Sequence, residues 1–363
     1  MTAAIVVGGG ISGIAAAGAL ATAPRPVDRV AVLDRGRRLG GRMAVRTLRT
    51  GPWAGHIVDL GASYFTVGRP EFGAVVDDWL ARGLARPWSE EFAVISTDGT
   101  LSIHRGPMRF AAPNGLRSLV EDLAAALPAG VAVRTDRNAA WLRRGAVRPW
   151  GLDAGPVTGG TSADPGAAAV GVDEHIEADV VALCQPTSQA ADLLRESPND
   201  PDLTGLADAC ARRRYEPLLA LVAQWPQRSW EPFPGCFVNG DATIAFIADD
   251  GSRRGDGAAV LVAHSTAEFA RGYLHEPNAA AEPLVAALRR LLDIDEPVAV
   301  EVKRWGAARP ATDEVGSSDA RFLLAPGGVG VAGDAFSQRP RIEAAWLSGR
   351  ALGTALAALA DAS

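Results

Sequence analysis

The stretch Val6-Val7-Gly8-Gly9-Gly10-Ile11-Ser12-Gly13-Ile14 joins an apolar run to an alanine-rich one, and its reading decides the fold. Ala4-Ile5-Val6-Val7 has the continuous apolar character of a strand buried on both faces, and Ile14 to Leu20 is helix-forming. Val30-Ala31-Val32-Leu33 supplies a second strand, so strand, glycine turn, helix and strand follow one another within about thirty residues, as a dinucleotide fingerprint requires. Gly8 allows the tight turn, Gly10 lets backbone approach a diphosphate, and Gly13 lets helix pack closely on strand. Ile11 and Ser12 open the helix whose first N–H groups face the phosphates. A glycine turn with no ligand is the competing reading, and the placing of strand and helix weighs against it.

Three further elements make the dinucleotide FAD. Asp34 ends the second strand, where a carboxylate can accept from ribose hydroxyls, and Arg35 adjoins it. Leu39-Gly40-Gly41-Arg42 pairs glycines with an arginine, suited to backbone approach and a cationic contact to a flavin or its diphosphate, and few NAD dehydrogenases carry it. Far along the chain, Gly333-Asp334 follows an apolar run and precedes a helix, a geometry that can bind ribityl or phosphate oxygens. Ordinary strand-end turns are the bland alternative for Asp34 and Asp334. The four elements together are the pattern of two-dinucleotide-binding-domain flavoproteins.

At 363 residues the chain exceeds the usual size of one core, so two interwoven domains are expected. The FAD-binding domain is expected over 1–70, 105–200 and 300–363, and the substrate domain over 71–104 and 201–299. The fold class expected is α/β: a Rossmann-type FAD-binding domain interwoven with a mixed-sheet α+β substrate domain. A net charge of −6 with no basic stripe argues against a nucleic-acid partner. Cys184, Cys210 and Cys236 are widely spaced, so neither a disulfide framework nor a metal site is expected. No apolar run reaches membrane-spanning length and no basic segment precedes the first strand, so a cytoplasmic protein without a membrane partner is expected.

Between these landmarks the pattern gives an amphipathic helix over 71–84, a hairpin over 92–103 around Asp98-Gly99, a helix over 116–127 and a strand at 131–133. Residues 151–171, rich in Gly, Pro, Thr, Ser and Asp without period, read as a surface loop or mobile insertion. A buried strand at 178–183 is followed by a helix over 188–194. Strands at 218–224, 243–248 and 258–264 with a helix over 280–292 suggest a mixed sheet. A strand and turn at 330–334 precede a long helix over 342–360.

Leu39-Gly40-Gly41-Arg42-Met43, Asp59-Leu60-Gly61-Ala62-Ser63-Tyr64-Phe65-Thr66 and Phe110-Ala111-Ala112-Pro113-Asn114-Gly115 resemble the renalase branch of the amine-oxidase-like flavoproteins. Leu261 to Thr266, Lys303-Arg304-Trp305, and Gly333-Asp334-Ala335-Phe336 leading through Glu343 to Ser348-Gly349 are similar to segments of that family in the same order. The resemblance spans the chain apart from 151–171. It implies a fold of the amine-oxidase and p-hydroxybenzoate-hydroxylase kind and a non-covalent FAD oxidase that takes a hydride at flavin N5 from a 2- or 6-dihydronicotinamide of the NAD(P) type and returns the electrons to O2 as H2O2. A dihydropyridine is already a strong hydride donor, so the protein has mainly to stack and orient it.

Two departures fall where substrate is expected: Ser63 stands where the family usually has Gln, and Gly306-Ala307-Ala308-Arg309-Pro310 follows Trp305 without the family's bulky residues. An amine or secondary-metabolite oxidase on the same fold is therefore the alternative, with a non-catalytic FAD-fold binding protein behind it. A flavin monooxygenase would need a reductant, and no second GxGxxG unit is present. The FAD set is completed by Gly61, Ala62 and Glu343, with Glu343, Ser348 and Gly349 taken to begin the last helix and turn its N–H groups toward the flavin pyrimidine. Tyr64, Lys303, Trp305 and His264 are the catalytic candidates, and Trp346 is a further aromatic that could wall the site. Lys303 is the one lysine of the chain, in a position resembling the lysine that holds a water near N5 in amine oxidases. A strand-edge lysine and a core histidine are the competing readings for Lys303 and His264.

Overall fold

The computed structural model describes residues 1–96, 98–158, 169–197, 200–311 and 320–362. The chain forms two compact units. Met1–Gly41, Val120–Tyr215 and Arg309–Ser363 make the first, and Arg42–Leu119 with Glu216–Ala308 the second.

The first unit is built on a six-stranded sheet in the order Phe322–Leu324, Val329–Ala332, Val180–Leu183, Ala3–Val7, Arg29–Asp34, Val131–Thr135. The last five run parallel, and the edge strand Phe322–Leu324 is antiparallel. Val7 lies opposite both Leu183 and Leu33, and Leu183 opposite Val331. The segments after these strands, beginning at Gly8, Arg35, Cys184 and Gly333, therefore gather at one carboxyl edge, where open α/β sheets bind ligands.

Two helices, Ile11–Thr22 and Ile342–Ala362, pack backbone to backbone. A Cβ at Gly349 would fall inside the Ser12 carbonyl oxygen, and one at Gly353 against that of Ala16. The other side of the sheet holds a core of Ile5, Val181, Leu183 and Val331 with Leu193, Leu194, Leu203 and Leu206.

Two sequence expectations fail in this unit. Residues 151–171 were expected to be loop, yet Trp150–Gly155 is a fully buried strand between Asn138–Arg144 and Glu174–Ala178. Its glycines serve close packing: the ring of His175 occupies the space a Cβ of Gly151 would need, and the Gly171 carbonyl does the same at Gly155. The Trp150 indole donates to the Gly327 carbonyl at 2.6 Å and lies under Arg144. Val157–Thr158 pairs with Ala169–Val170, and the remainder, 159–168, lies outside the described residues. The helix Pro201–Ala211, unread in the sequence, starts on an Asp200 side chain that accepts from Asp202 and Leu203 N–H. It joins the first unit, so the change of unit comes after Tyr215 rather than at 201.

The second unit carries a seven-stranded sheet in the order Ala299–Pro310, Tyr215–Gln224, Val260–Ser265, Ile244–Asp249, Gly235–Val238, Arg86–Ile95, Leu101–Ala111. It is mixed, because Gly235–Val238 runs parallel to Arg86–Ile95 between antiparallel pairs. Alternation sorts its side chains. Leu219, Leu221, Ile247, Leu261 and Ala263 pack with Leu284, Val285 and Leu288 of the helix Ala281–Leu292. The opposite face holds Val222, Val260 and Val262 under Leu48, Val58, Leu60 and Trp305, and then Phe92, Phe246 and Ala248 under Tyr64, Trp88 and Phe237. Residues 42–70 and 105–119, expected with the nucleotide domain, cluster here. The short hairpin Val45–Thr47 with Ile57–Asp59 lies over this face through Leu48, Val58 and Leu60.

Among the described residues no helix is long and apolar enough to cross a membrane, and no group of His, Cys, Asp and Glu could hold a metal ion.

Candidate active site

In the first unit the fingerprint is a cradle with one open wall. Gly8 takes a positive φ of 106°, and a Cβ there would press on the backbone of Cys184 and Gln185. A Cβ at Gly13 would fall inside the Gly8 carbonyl oxygen, so the helix sits directly on the turn. At Gly10 nothing lies within 4 Å of the position a Cβ would take. Gly10 is also the N-cap of Ile11–Thr22 and gives it no side-chain cap, leaving the first N–H groups for an anion. Gly41, with φ of 53°, approaches Gly10, and Gly40 N–H donates to the Gly9 carbonyl at 3.0 Å. Gly333 is likewise open where a Cβ would be. These features fit the diphosphate of a dinucleotide.

Asp34 is tied more firmly than its sequence position implies. Its two carboxylate oxygens accept the Gly9 N–H at 2.6 Å and the Gly36 N–H at 2.7 Å, each keeping a further lone pair. Burial pushes its carboxyl above the ordinary value, and the Gly9 and Gly36 bonds offset part of that. Arg35 beside it is exposed. One member of this cradle escaped the sequence reading, and another takes a part different from the one expected. The Gln185 side-chain oxygen is buried at the carboxyl edge, beside Gly8, with no hydrogen-bond partner among the described residues. Ser348 Oγ accepts from Gly333 N–H at 2.8 Å and donates to the Arg321 carbonyl at 2.5 Å, fixing the turn that presents Asp334.

The last helix corrects an expectation. It starts at Ile342, so Glu343 lies in its first turn, whereas Ser348 and Gly349 lie deeper, where N–H groups serve the helix itself. Gly349 packs on Ser12, Glu343 is buried and ion-paired with Arg341, and Trp346 lies against Arg350. Trp346 lines a groove with Ile14, Leu123 and Leu127, away from the loop edge.

In the second unit Arg42, Gly61, Ala62 and Trp305 converge. Ala62 N–H donates to the Arg42 carbonyl at 2.9 Å, and a Cβ at Gly61 would fall inside that carbonyl and 3.3 Å from the Trp305 ring. The Trp305 indole donates to the Leu60 carbonyl at 2.9 Å, and Arg42 reaches the Ala308 carbonyl at 3.3 Å. Tyr64 and His264 meet in an aromatic group instead. Tyr64 stands edge-on to Phe92 at 5.3 Å and 6.2 Å from both Trp88 and Phe246, and Phe246 is 6.0 Å from His264. Ala220, His264, Phe246 and Phe237 form one register row across the sheet, which sets this wall. Burial pushes the Tyr64 hydroxyl up, with Arg109 pulling it partly back.

Lys303 lines a different place, a cleft of ≈ 400 Å³ with Arg46, Leu60, Asn278 and Glu301. Burial, then Arg46 and Arg304, hold its ammonium below the ordinary lysine value. The structure thus places the four catalytic candidates in three neighbourhoods of the second unit.

Beneath the Asp59–Tyr64 segment lies an ion network that the sequence did not signal. Asp59, Asp250 and Arg253 are fully buried and Arg254 nearly so. Arg254 pairs with Asp59 at 2.6 Å and donates to the Ala112 and Ile57 carbonyls. Arg253 pairs with Asp250 and donates to the Ser63 carbonyl at 3.2 Å. His56 joins Asp250 at 2.8 Å, and Asp59 Oδ1 accepts the Leu116 N–H at the start of the helix Leu116–Ala125. Ionic bonds thus hold the backbone on either side of Gly61.

Comparison with known proteins agrees with this geometry. The family described as flavin containing amine oxidoreductase matches residues 82–352, and the NAD(P)-binding Rossmann-like domain matches residues 6–79. Among solved structures, wild-type putrescine oxidase bound to putrescine is similar with a TM-score of 0.68 at 14% identity, over 98% of this chain and 99% of that one. A putative protoporphyrinogen oxidase from Exiguobacterium sp. 255-15 is similar with a TM-score of 0.66 at 15% identity, over 98% and 99%. Identities this low carry the fold alone.

Proposed function

Because the chain belongs to the flavin containing amine oxidoreductase family, we propose that it is an FAD-dependent oxidase of a small molecule, taking a hydride from a carbon next to nitrogen in an amine or nitrogen-containing secondary metabolite. The observation that carries the cofactor reading is the uncapped helix behind Gly10, open where a side chain would block a diphosphate. FAD, bound without a covalent link, supplies the two-electron acceptor at N5 and the onward path to O2, giving H2O2. The chain's own residues bind and orient. The first N–H groups of Ile11–Thr22 hold phosphate oxygens, and Asp34, through its remaining lone pairs, takes the ribose. In the second unit, the Leu60 carbonyl fixes the Trp305 indole plane, while Tyr64, Trp88 and Phe246 offer a flat donor an apolar wall.

A dihydronicotinamide donor is the second reading. It is favoured by the renalase-like segments around Tyr64 and Trp305 and by that same wall, which suits a planar ring. Anaerobic mixing of the yellow protein with a panel of primary and secondary amines and with 6-dihydroNAD tests both. Bleaching by an amine, with H2O2 on readmission of air, supports the first; bleaching by 6-dihydroNAD alone replaces it with the second. A flavin left oxidised by every compound would sink the oxidase assignment.

A further inference from the structure

The aromatic wall contains a cation with no counter-ion among the described residues. Arg109 is 8% exposed, and among the described residues no carboxylate lies within ion-pair distance of it. Its guanidinium stacks at 4.0 Å on the Phe92 ring, lies 5.8 Å from the centre of Tyr64, and donates to the Glu90 backbone carbonyl at 2.9 Å. The Glu90 side chain does not neutralise it, because that carboxylate is engaged by Arg105 on the exposed side of the same hairpin. A fork of five donors that spends one on a carbonyl and interacts with one tyrosine keeps donors to spare. Buried guanidinium groups are otherwise paired. One residue before Tyr64, the Ser63 hydroxyl is buried and has no hydrogen-bond partner among the described residues.

We infer that Arg109 is the anchor for a carboxylate on the substrate, held in plane by Phe92 and Tyr64 while the substrate's ring or chain lies on the Trp88 and Phe246 wall. The inference rests on the oxidase reading and deepens it: the substrate is a flat molecule with an anionic end rather than a polycation. A diamine would bring a second positive charge to a place that already holds one unneutralised, and such like-charge approach is unfavourable in a half-buried setting. A carboxylate is preferred to a phosphate because a single planar guanidinium edge matches it bidentately.

Calorimetric titration of the FAD-loaded full chain with benzoate, benzamide and phenyl phosphate reads the anchor without any turnover, so it stands apart from a failure of the oxidase assignment. Benzoate should bind at least tenfold more tightly than its neutral isostere benzamide. Arg109→Met should abolish that preference while leaving benzamide binding and FAD content in place, and Arg109→Lys should restore part of it. Equal binding of benzoate and benzamide by the unaltered protein overturns the inference, as does tighter binding of phenyl phosphate, or a benzoate preference that survives in folded Arg109→Met. Should Arg109→Met fail to fold, the comparison of the three ligands on the unaltered protein decides alone.

Discussion

Asp59 and Arg254 form a 2.6 Å ion pair although 195 positions separate them in the chain, and both side chains are out of water. The pair ties the hairpin that leads into Gly61 to a short helix, Asp250–Arg254, at the end of a sheet strand. Removing one member of such a pair strands the other charge in the interior. Arg254→Met should therefore cost about 3–5 kcal/mol in urea-induced unfolding. Arg254→Met with Asp59→Leu should recover part of that loss, because no buried charge is left unpaired; a double variant less stable than Arg254→Met would show that the pair is not the source.

The two fingerprint glycines should separate folding from cofactor capture. Gly10→Ala meets no protein atom, so its thermal unfolding without FAD should match the parent, while its FAD affinity, read by fluorescence on titration, should fall at least tenfold, about 1.4 kcal/mol. Gly13→Ala drives a methyl into the Gly8 carbonyl and should lower stability as well as FAD content. Normal FAD affinity in Gly10→Ala would move the diphosphate elsewhere.

Acid should find the ion network. Burial alone would push the Asp250 carboxyl up, but Arg253, Arg254 and His56 overturn it and hold it below the ordinary aspartate value. A carboxyl depressed in the folded state adds stability that is complete above its unfolded value, about 3.9, and is lost as pH falls below it. Urea midpoints measured between pH 5 and pH 3 should fall more steeply for the parent than for Asp250→Asn, whose stability is already lower at pH 5. Equal slopes would remove Asp250 from acid unfolding.

Lys303 can be observed alone. Since the chain has no other lysine, reductive ¹³C-methylation gives one side-chain signal beside that of the terminal amine. Its NMR titration should show the charge lost below the ordinary lysine value near 10.4, the direction set first by burial and then by Arg46 and Arg304. Arg46→Gln should move it back upward. Titration at the ordinary value in both proteins would make Lys303 a solvated strand lysine.

The carboxyl edge of the first sheet was legible because its signals are local: Gly8 to Gly13, Asp34 and Gly333-Asp334 each sit at the end of a strand whose apolar run is unmistakable. The strand Trp150–Gly155 was not, since its glycines look like turn residues until His175 and Gly171 are seen filling their space. Asp249-Asp250-Gly251-Ser252-Arg253-Arg254 has the composition of a solvated loop. Only the tertiary fold reveals that His56 and Asp59 meet it in the interior. Arg109 was hidden for the same reason, as one arginine in a strand that alternates with exposed positions. Charges whose partners lie far along the chain, or outside it, leave no periodic trace.

Gly349 and Gly353 leave room for the Ser12 and Ala16 carbonyls, and this makes two segments far apart in the sequence depend on each other in time. During synthesis the fingerprint emerges well before the helix that backs it. A ribosome-bound chain would hold the glycine turn with one flank uncovered until Ile342–Ala362 arrives. A chain cut short before Gly349 would leave the Ser12 and Ala16 carbonyls uncovered and the fingerprint turn without that support.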